Sequence, residues 1–328
     1  MNVLVTGGAG YIGSHTVACL AKQGHTPVVY DNLCFGHRQA IEGVKFVEGD
    51  IRDRDLLRRT IREQAIEAVI HFAAFAYVGE SVIDPGKYYH NNVVGTIELL
   101  EAIRAENVQK IVFSSTCATY GEPTTIPIDE NTPQAPINPY GFSKLVVERA
   151  LDDYAHAYGL QFAALRYFNA SGCAIEGNLG EDHTPETHLI PLILQVALGQ
   201  REQITIFGDD FDTPDGTCVR DYIHVDDLAS AHVAALERLS PGTRWKINLG
   251  TGQGYSVREV IDSCRRITGH EIPAVDGPRR EGDPPRLIAA NDLAKQLLGW
   301  QPQHREIDTI VNSAWQWMSR HPNGYEAG

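Results

Sequence analysis

The sequence predicts an α/β fold: a doubly wound parallel sheet with helices on both faces, followed by a smaller second α/β unit. Short β-branched runs alternate with amphipathic stretches through the first half, and a glycine-rich segment joins the first run to the first helical stretch. Beyond about residue 169 the elements become shorter and are separated by segments rich in Gly, Pro and Asp. Alternating strands and helices form parallel sheets, because each crossover helix carries the chain back across one face.

Length, composition and charge exclude several classes of protein. The chain has 328 residues, of which 43% are apolar and 21% charged, as in globular proteins with a sizeable core. A net charge of −14 repels phosphate backbones and anionic membrane surfaces, so nucleic acid is not an expected partner. No apolar stretch approaches the roughly 18 residues of a membrane span, and we expect no membrane association.

The cysteines indicate a reducing compartment. No C-x-x-C pair occurs among the six of them, which are Cys19, Cys34, Cys117, Cys173, Cys218 and Cys264. The first residues enter a β-like run directly, without the basic segment of a signal peptide. We therefore expect a cytoplasmic protein with free thiols.

Six segments of the first half have the composition of strands: 3–5, 26–30, 44–47, 68–72, 110–114 and 162–167. Between them, apolar residues step by four, three and three from Val93, and by four, three and four from Val147, which predicts two amphipathic helices. We predict a dinucleotide-binding domain over residues 1–169, to which a strand and helix at 221–240 return. Residues 170–328 then form the second, substrate-binding domain.

The glycine-rich segment predicts a dinucleotide site of the Rossmann type. Residues 7–13 read Gly-Gly-Ala-Gly-Tyr-Ile-Gly and lie between the first strand and the first helix. Glycines at Gly7, Gly10 and Gly13 permit a tight turn, a close approach of backbone N–H groups to a pyrophosphate, and helix–strand packing. The motif is weak by itself, but its position between strand and helix strengthens it.

An acidic residue predicts which dinucleotide binds. Asp31 ends the second strand about 20 residues after the glycines, where a carboxylate accepts both ribose hydroxyls and repels a 2′-phosphate. The sequence therefore predicts NAD rather than NADP. Asp50, which follows the third strand, is expected near the adenine edge.

A second constellation predicts proton transfer. Ser114, Ser115 and Thr116 end a strand, and Tyr140 and Lys144 then lie one helical turn apart. On one helix face the Lys ammonium is expected to lower the phenol pKa from about 10 and so make Tyr140 a base near neutral pH.

With these residues the chain resembles the extended short-chain dehydrogenase/reductases, and among them the enzymes that epimerise UDP-sugars at C4. Stretches that carry the resemblance cover essentially the whole chain, at 7–13, 31–33, 71–74, 78–81, 88–95, 114–121, 140–144, 165–169, 219–225, 248–252, 279–283 and 320–325. The resemblance implies that Tyr140 removes the C4 hydroxyl proton, Lys144 binds the nicotinamide ribose, and Thr116 holds the sugar O4.

The same resemblance implies two sets of binding residues. Bound NAD would contact Gly7, Gly10, Tyr11, Ile12, Gly13, Asp31, Asn32, Asp50, Ile51, Phe72, Asn91, Tyr140, Lys144 and Tyr167. A UDP-sugar would contact Thr116, Asn169, His188, Leu189, Phe207, Arg220, Arg280 and Asp283. Two arginines suit a diphosphate, since the planar guanidinium forms bidentate, charge-assisted hydrogen bonds. The resemblance also implies a homodimer built on the helices that contain Val93 and Val147.

Two positions depart from the pattern. Ala76 stands where some relatives have a lysine. The chain therefore lacks one cationic contact to the dinucleotide, so how tightly it retains the dinucleotide stays open. Leu287 stands where relatives have either a bulky Tyr or a small Ser or Cys against the sugar, so tolerance of N-acetylated sugars stays open.

One cluster has the composition of a metal site: Glu181, Asp182, His183, Glu186 and His188. The two histidines are five residues apart and lie off any single helical face, so we predict no metal here. We expect a polar loop over the nucleotide instead, with His188 among its contacts.

The resemblance implies redox-neutral epimerisation of UDP-glucose and UDP-galactose through a 4-keto sugar. The segments 71–74 and 76–81 also resemble UDP-xylose/arabinose 4-epimerases, so a UDP-pentose stays open. A nucleotide-sugar dehydratase or decarboxylase needs an acid directly after Thr116, where this chain has Cys117 and Ala118. A non-catalytic NAD-binding protein would be expected to lose Tyr140 or Lys144, and both are present.

Overall fold

The computed structural model describes residues 1–280 and 282–325. Its strands are β1 Asn2–Thr6, β2 Thr26–Asp31, β3 Lys45–Glu48, β4 Ala68–His71, β5 Lys110–Thr116, β6 Gln161–Tyr167, β7 Asn169–Ser171, β8 Ile204–Phe207, β9 Val219–Arg220, β10 Tyr222–His224, β11 Arg244–Leu249, β12 Tyr255–Ser256, β13 Ala274–Gly277 and β14 Arg286–Leu287. Its α-helices are α1 Tyr11–Lys22, α2 Arg54–Glu63, α3 Val78–Ile83, α4 Pro85–Tyr88, α5 Thr96–Ala105, α6 Pro139–Tyr158, α7 Leu189–Ala197, α8 Val225–Arg238, α9 Val257–Thr268, α10 Asp292–Leu298 and α11 Ile307–Arg320.

A seven-stranded parallel sheet in the order β11-β6-β5-β4-β1-β2-β3 dominates the first half. All six predicted strands belong to it, which confirms the predicted fold class. Helices α1 and α8 pack on one face of the sheet, and α2, α5 and α6 pack on the other. The order reverses between β1 and β4, and such a switch point opens a crevice at the carboxyl ends of the strands.

Residues beyond 169 contribute to both parts of the molecule. Strand β11 extends the main sheet by pairing with β6. In the segment predicted to return to the first domain, α8 packs on α1, whereas β10 pairs with β7 in a separate small sheet. Helices α7, α9 and α11 enclose a further core with β8 and β13. None of the described helices has the length and apolar run needed to cross a membrane.

Both predicted amphipathic helices are present with shifted ends. The stretch from Val93 begins inside a π-helical segment, Tyr89–Gly95, that runs directly into α5. The stretch from Val147 belongs to α6, whose Val147 and Leu151 are buried against the sheet. Tyr158, the last position of that apolar pattern, is 53% exposed.

Candidate active site

A cleft of about 510 Å³ lies along the carboxyl ends of the sheet strands. Its walls include Gly7 after β1, Asp31 at the end of β2, Thr116 at the end of β5 and Tyr167 at the end of β6. Residues beyond 169, such as Asp283, close the opposite side. The volume is within the range of small-molecule sites, and its position is that of ligands in open α/β sheets.

Two glycines after β1 leave room that any side chain would fill. Gly7 has φ of +70°, and a Cβ there would lie 2.5 Å from the backbone nitrogen of Ala73. A Cβ on Gly13 would lie 2.2 Å from the carbonyl oxygen of Gly7. Helix α1 begins directly after Gly10, so its free N–H groups face this turn. The turn therefore has the close-packed backbone and helix N-terminus that hold a pyrophosphate.

Asp31 is fixed beside this turn. Its carboxylate accepts hydrogen bonds from the backbone nitrogens of Ala9, at 3.0 Å, and Leu33, at 2.8 Å. Burial raises the carboxyl pKa, and these N–H donors act in the opposite direction. Each carboxylate oxygen keeps a second lone pair, so the group can still accept from a pair of hydroxyls.

Asp50 is not among the residues that line the cleft. Its carboxylate is paired with Arg52, at 2.6 Å, and accepts from the Asn32 amide at 3.4 Å. The Arg52 hydrogen bond is the largest cause that lowers the Asp50 pKa to about 2. The neighbouring Gly49 and Ile51 line the cleft instead.

The predicted catalytic residues converge in the middle of the cleft. Helix α6 begins at Pro139, and the backbone nitrogen of Gly141 donates to the capping side chain of Asn138 at 2.8 Å. This cap fixes the first turn, which presents Tyr140 towards the end of β5. On the next turn, the Nζ of Lys144 lies 5.9 Å from the centre of the Tyr140 ring. Thr116 interacts with the Tyr140 phenol through its side chain.

Burial controls the protonation of this group. Burial raises the pKa of Tyr140 to about 12, although the hydrogen bond with Thr116 acts to lower it. Burial also lowers the pKa of Lys144 to about 7. The phenol pKa below 10 predicted from the Tyr–Lys spacing is therefore wrong for the nucleotide-free protein. Desolvation disfavours the charged form of both groups and is the largest cause of both pKa shifts.

Polar contacts behind the cleft hold these residues in place. The hydroxyls of Ser114 and Tyr167 hydrogen-bond to each other, and the Ser114 carbonyl accepts from Lys144. The amide of Asn92 donates to the Phe75 carbonyl at 3.0 Å and to the Ser143 hydroxyl at 3.2 Å. Buried side chains thus brace both the strand and the helix of the site.

A buried ion pair lies behind strand β5. The Glu148 carboxylate accepts two hydrogen bonds from Arg166, at 2.9 and 2.6 Å, and one from Ser115. Both charged side chains are at most 2% exposed. Ser115 directly precedes Thr116, so this pair anchors the end of β5 from within the protein.

The predicted substrate residues form a second group near the far end of the cleft. Arg220 is ion-paired with Asp283 at 3.2 Å and donates to the Pro284 carbonyl at 2.9 Å. The Arg280 guanidinium lies 3.9 Å from the centre of the Phe207 ring. Asn169 donates to the carbonyl of Asp221 at 3.1 Å.

Most of the predicted site residues line the cleft. These are Gly7, Gly10, Tyr11, Ile12, Gly13, Asp31, Asn32, Ile51, Phe72, Asn91, Thr116, Tyr140, Lys144, Tyr167, Asn169, His188 and Asp283. Five others do not line it, namely Asp50, Leu189, Phe207, Arg220 and Arg280. The two positions that depart from the family pattern, Ala76 and Leu287, are both in the wall.

Sequence reasoning missed part of the wall. Phe35 packs edge-on against Phe75 and Tyr77, with ring centroids 5.8 and 5.5 Å apart. These aromatic residues come from two separate loops, and no spacing in the sequence links them. The helix cap at Asn138 could have been found, because an Asn before a Pro is a common start of a helix.

The acidic and histidine-rich segment forms the predicted polar loop, and His188 lines the cleft. Residues 181–188 are not helical, so the argument from helical faces does not apply. Glu181, His183, Glu186 and His188 bring one ligand atom each within 4.8 Å of one another. Asp182 turns away and lies 3.5 Å from His37.

Electrostatic interactions in this loop are strong. Burial lowers the pKa of both histidines, but the carboxylates of Glu181 and Glu186 outweigh it. The pKa of His183 rises to about 9 and that of His188 to about 10. Burial likewise raises the pKa of Glu186, but the histidines bring it down to about 2.

Known proteins are similar to this chain over nearly its whole length. The model of the NAD dependent epimerase/dehydratase family matches residues 3–250. The UDP-glucose 4-epimerase of Halalkalibacterium halodurans is 55% identical, over 99% of this chain and 98% of that protein. A UDP-glucose 4-epimerase from Brucella ovis, solved in complex with NAD, superposes with a TM-score of 0.93 at 55% identity, covering 96% of this chain and 97% of that one.

A UDP-glucose 4-epimerase from Stenotrophomonas maltophila, solved with NAD and formylated UDP-arabinopyranose, is also similar. It has a TM-score of 0.95 at 43% identity and covers 98% of this chain and 99% of that one. The family resemblance in the sequence is thereby confirmed. The chain belongs to the NAD dependent epimerase/dehydratase family, within its UDP-glucose 4-epimerases.

Proposed function

We propose that the protein interconverts UDP-glucose and UDP-galactose by redox-neutral, NAD-dependent epimerisation at C4. The observation that carries this function is the placement of Thr116, Tyr140 and Lys144 in one cleft with the Gly7–Gly13 turn and Asp31. A hydroxyl, a phenol and a lysine in the wall of a dinucleotide cleft supply the groups that alcohol oxidation and ketone reduction both require.

The cleft fits NAD. The space beside Gly7 and Gly13 suits a pyrophosphate, and Asp31 presents free lone pairs for the two ribose hydroxyls. Lys144 and Tyr167 are the polar residues that would hold the nicotinamide end. When bound, NAD+ would supply the hydride acceptor for oxidation at C4 of the sugar and the hydride donor for the reduction that follows.

The chain's own residues move the proton. Tyr140 removes the proton of the C4 hydroxyl and gives it back after the sugar has turned, while Thr116 hydrogen-bonds O4. A phenol with a pKa of about 12 is a weak base at neutral pH. A positive charge beside it favours the phenolate, so proton removal is coupled to occupancy of the nicotinamide position. The apolar side chains of Ile12 and Phe72 also line the cleft.

We propose that the second unit binds the UDP moiety. Residues 1–169 with 221–240 would hold NAD. Residues 170–328 would supply Arg220, Arg280 and Phe207 to the UDP moiety, and Asn169 would reach it from the adjoining NAD-binding segment. Arg220 already makes three hydrogen bonds, so it is preorganised to meet a diphosphate without losing side-chain freedom on binding. The ring of Phe207 is 37% exposed and offers a stacking surface for uracil.

Incubation of the purified protein with UDP-glucose, or with UDP-xylose, without added NAD tests the function. Chromatography should detect UDP-galactose in the reaction with UDP-glucose. This product should form faster than any product of the reaction with UDP-xylose. Product from UDP-xylose alone would replace the hexose assignment by the pentose alternative. No product from either, with NAD retained, would refute epimerisation.

The dehydratase alternative is disfavoured by the residue after Thr116. Cys117 lines the cleft, but burial raises the pKa of its thiol to about 12, so it stays neutral and cannot exchange protons near pH 7. Ala118 has no titratable group. The elimination of water therefore lacks the acid that it needs at this position.

We also propose a cytoplasmic homodimer. The six cysteines are all unpaired, as a reducing compartment would keep them. Val94 in the π-helical segment and Phe142 on α6 are 43% and 47% exposed, and Tyr89 packs edge-on against Phe142. An apolar patch on two neighbouring helices suits a self-complementary interface.

Sedimentation velocity should give a dimer mass for the wild type and a monomer for Val94→Glu. Ile175→Glu, at a position that is 47% exposed outside the patch, should remain dimeric. A wild-type monomer at every concentration would contradict the homodimer.

A further inference from the structure

The loop that precedes α7 contains a compact cluster of four potential metal ligands. Nδ1 of His183 lies 3.4 Å from Oε1 of Glu181 and 3.5 Å from Oε2 of Glu186. Nδ1 of His188 lies 2.6 Å from Oε1 of Glu181 and 3.3 Å from Oε1 of Glu186. Both imidazoles thus present the same ring atom to the same two carboxylates.

These contacts are poor hydrogen bonds. The buried Oε1 of Glu181 and Nδ1 of His183 have no hydrogen-bond partner with acceptable geometry. The Glu181 side chain is only 4% exposed, so water does not compensate its carboxylate from outside. These two atoms are compensated by charge across the ion pairs but not by hydrogen bonds, which leaves room for a partner that both of them can bind.

The distances match those between ligands of one ion. Four donors at about 2.0 to 2.1 Å from a tetrahedral zinc ion lie about 3.3 Å from one another. Three of the four distances above lie between 3.3 and 3.5 Å. Glu186 faces His183 with one oxygen and His188 with the other, so one of these two oxygens would turn to the ion. Only the contact between Glu181 and His188 is shorter, and a small movement of the half-exposed His188 ring would lengthen it.

We propose that Glu181, His183, Glu186 and His188 bind a zinc ion. Imidazole nitrogen and carboxylate oxygen are both established zinc ligands. The ion would displace the Nδ1 protons of both histidines, and the two carboxylates would then balance its charge. Four protein ligands complete a tetrahedral shell, which is typical of a structural rather than a catalytic zinc.

The ion would fix the loop against the nucleotide cleft. The His183 ring packs edge-on against Tyr11 in the first turn of α1, with centroids 6.0 Å apart, and against Tyr77 at 6.4 Å. The Tyr11 hydroxyl in turn donates to the carbonyl of Gly172. Zinc on His183 would therefore lock together the glycine turn, the loop after β4 and the second unit.

The ion would also set the tautomer of His188. Zinc on Nδ1 leaves the proton on Nε2, and this half-exposed ring lines the cleft. His188 would then be a fixed N–H donor for the substrate diphosphate. This last step rests on the proposed function, whereas the zinc site itself does not.

Zinc binding to the full chain, produced without a polyhistidine tag, tests the site. The protein is stripped with a chelator, and Zn2+ is titrated in competition with a chromophoric chelator. About one ion should bind per chain. Co2+ in its place should show the intense visible absorption of a four-coordinate ion. Zn2+ should also raise the melting temperature.

Glu181→Gln and His183→Gln should weaken zinc binding by more than the roughly 10- to 100-fold that loss of an outer-shell partner causes. Glu176→Gln is the matched control, since Glu176 is an exposed residue paired with Lys22 near the same loop. If the variants at the buried positions do not fold, His188→Gln, at a half-exposed position, tests the same loss of zinc affinity.

Equal zinc affinity in all variants, or no stoichiometric binding to the wild type, would overturn the site. Epimerisation is measured on the same samples. Zinc binding without epimerisation would refute only the proposed function, and epimerisation without zinc binding would refute only this inference.

Discussion

The Nζ of Lys144 donates a hydrogen bond to the backbone carbonyl of Ser114, 2.8 Å away. A neutral carbonyl offsets only part of the desolvation of an ammonium, which is why burial brings the pKa of Lys144 down to about 7. The lysine of helix α6 is thus held by strand β5 before any ligand arrives. In the nucleotide-free protein it therefore switches between neutral and charged forms close to physiological pH.

This pKa makes stability depend on pH. The folded pKa of about 7 lies below the unfolded value of roughly 10.4, so between these values the unfolded chain binds more protons. The unfolding free energy of the nucleotide-free wild type should rise with pH from about 7 to 10, relative to Lys144→Met. The difference is on the order of 4 kcal/mol at most. Urea unfolding at several pH values measures it.

Lys246→Met is the control for that series. Lys246 is paired with Asp152 at 2.5 Å and partly exposed, so its substitution should leave the slope between pH 7 and 10 unchanged. Parallel curves for wild type and Lys144→Met would contradict the lowered pKa.

Tyr140→Phe should lower turnover by about two to four powers of ten, because it removes the group that exchanges the C4 proton. Binding of NAD should change little, since the ring remains. Tyr158→Phe, at the exposed end of the same helix, should keep wild-type turnover. Initial rates with UDP-galactose measure this effect. Near wild-type activity in Tyr140→Phe would rule out Tyr140 as the group that exchanges the C4 proton.

Thr116 should matter through its hydroxyl and not through its methyl group. Thr116→Ser keeps a group that donates and accepts, so its effect on kcat should be mild. Thr116→Val keeps the shape but loses the hydrogen bond to O4, and kcat should fall severely. If both variants lose the same activity, O4 is held by another residue.

Asp31 should decide between the two nucleotides. Like charges at about 4 Å repel by roughly 4 kcal/mol at an effective dielectric near 20, close to a thousandfold in affinity. Protein stripped of nucleotide should therefore be reactivated by NAD+ and not by NADP+. Asp31→Ala should reduce the difference between reactivation by NAD+ and by NADP+, chiefly because it weakens the binding of NAD+. Equal reactivation of the wild type by both would show that Asp31 does not reach the ribose.

Glu148→Gln should destabilise the protein by about 3 to 5 kcal/mol, because it leaves the guanidinium of Arg166 buried without its counter-charge. Asp153→Asn provides the comparison. It breaks the exposed pair with Arg149 and should change stability by less than about 1 kcal/mol. Thermal or urea unfolding separates the two, and a small effect of Glu148→Gln would mean that Arg166 finds another partner.

The sequence was sufficient for features that depend on local pattern. The β-branched runs located six strands of the sheet, and the Tyr140–Lys144 spacing found two residues that do share one helix turn. Strand β11 was missed because it begins Arg244-Trp245-Lys246, at the partly exposed edge of the sheet where a polar start is tolerated.

Features that depend on tertiary contacts were not predictable. The pKa of Tyr140 goes up because the folded cleft desolvates the phenol, and no spacing along the chain reports burial. Glu181 and His188 meet because an extended loop folds back on itself, whereas the argument from periodicity assumed a helix. Arg220 was assigned to the substrate, but its pairing with Asp283 appears only in the fold.

The position of β11 has a consequence for the order in which the protein is made. Every residue of β6 is buried, and β11 covers one of its edges. On the ribosome the first six sheet strands emerge well before Arg244. One edge of β6 therefore has no partner strand while residues 168–243 are synthesised. Such an edge is a template for pairing with another chain. During synthesis the nascent protein is therefore most vulnerable to aggregation after residue 167 has emerged and before residue 249 follows.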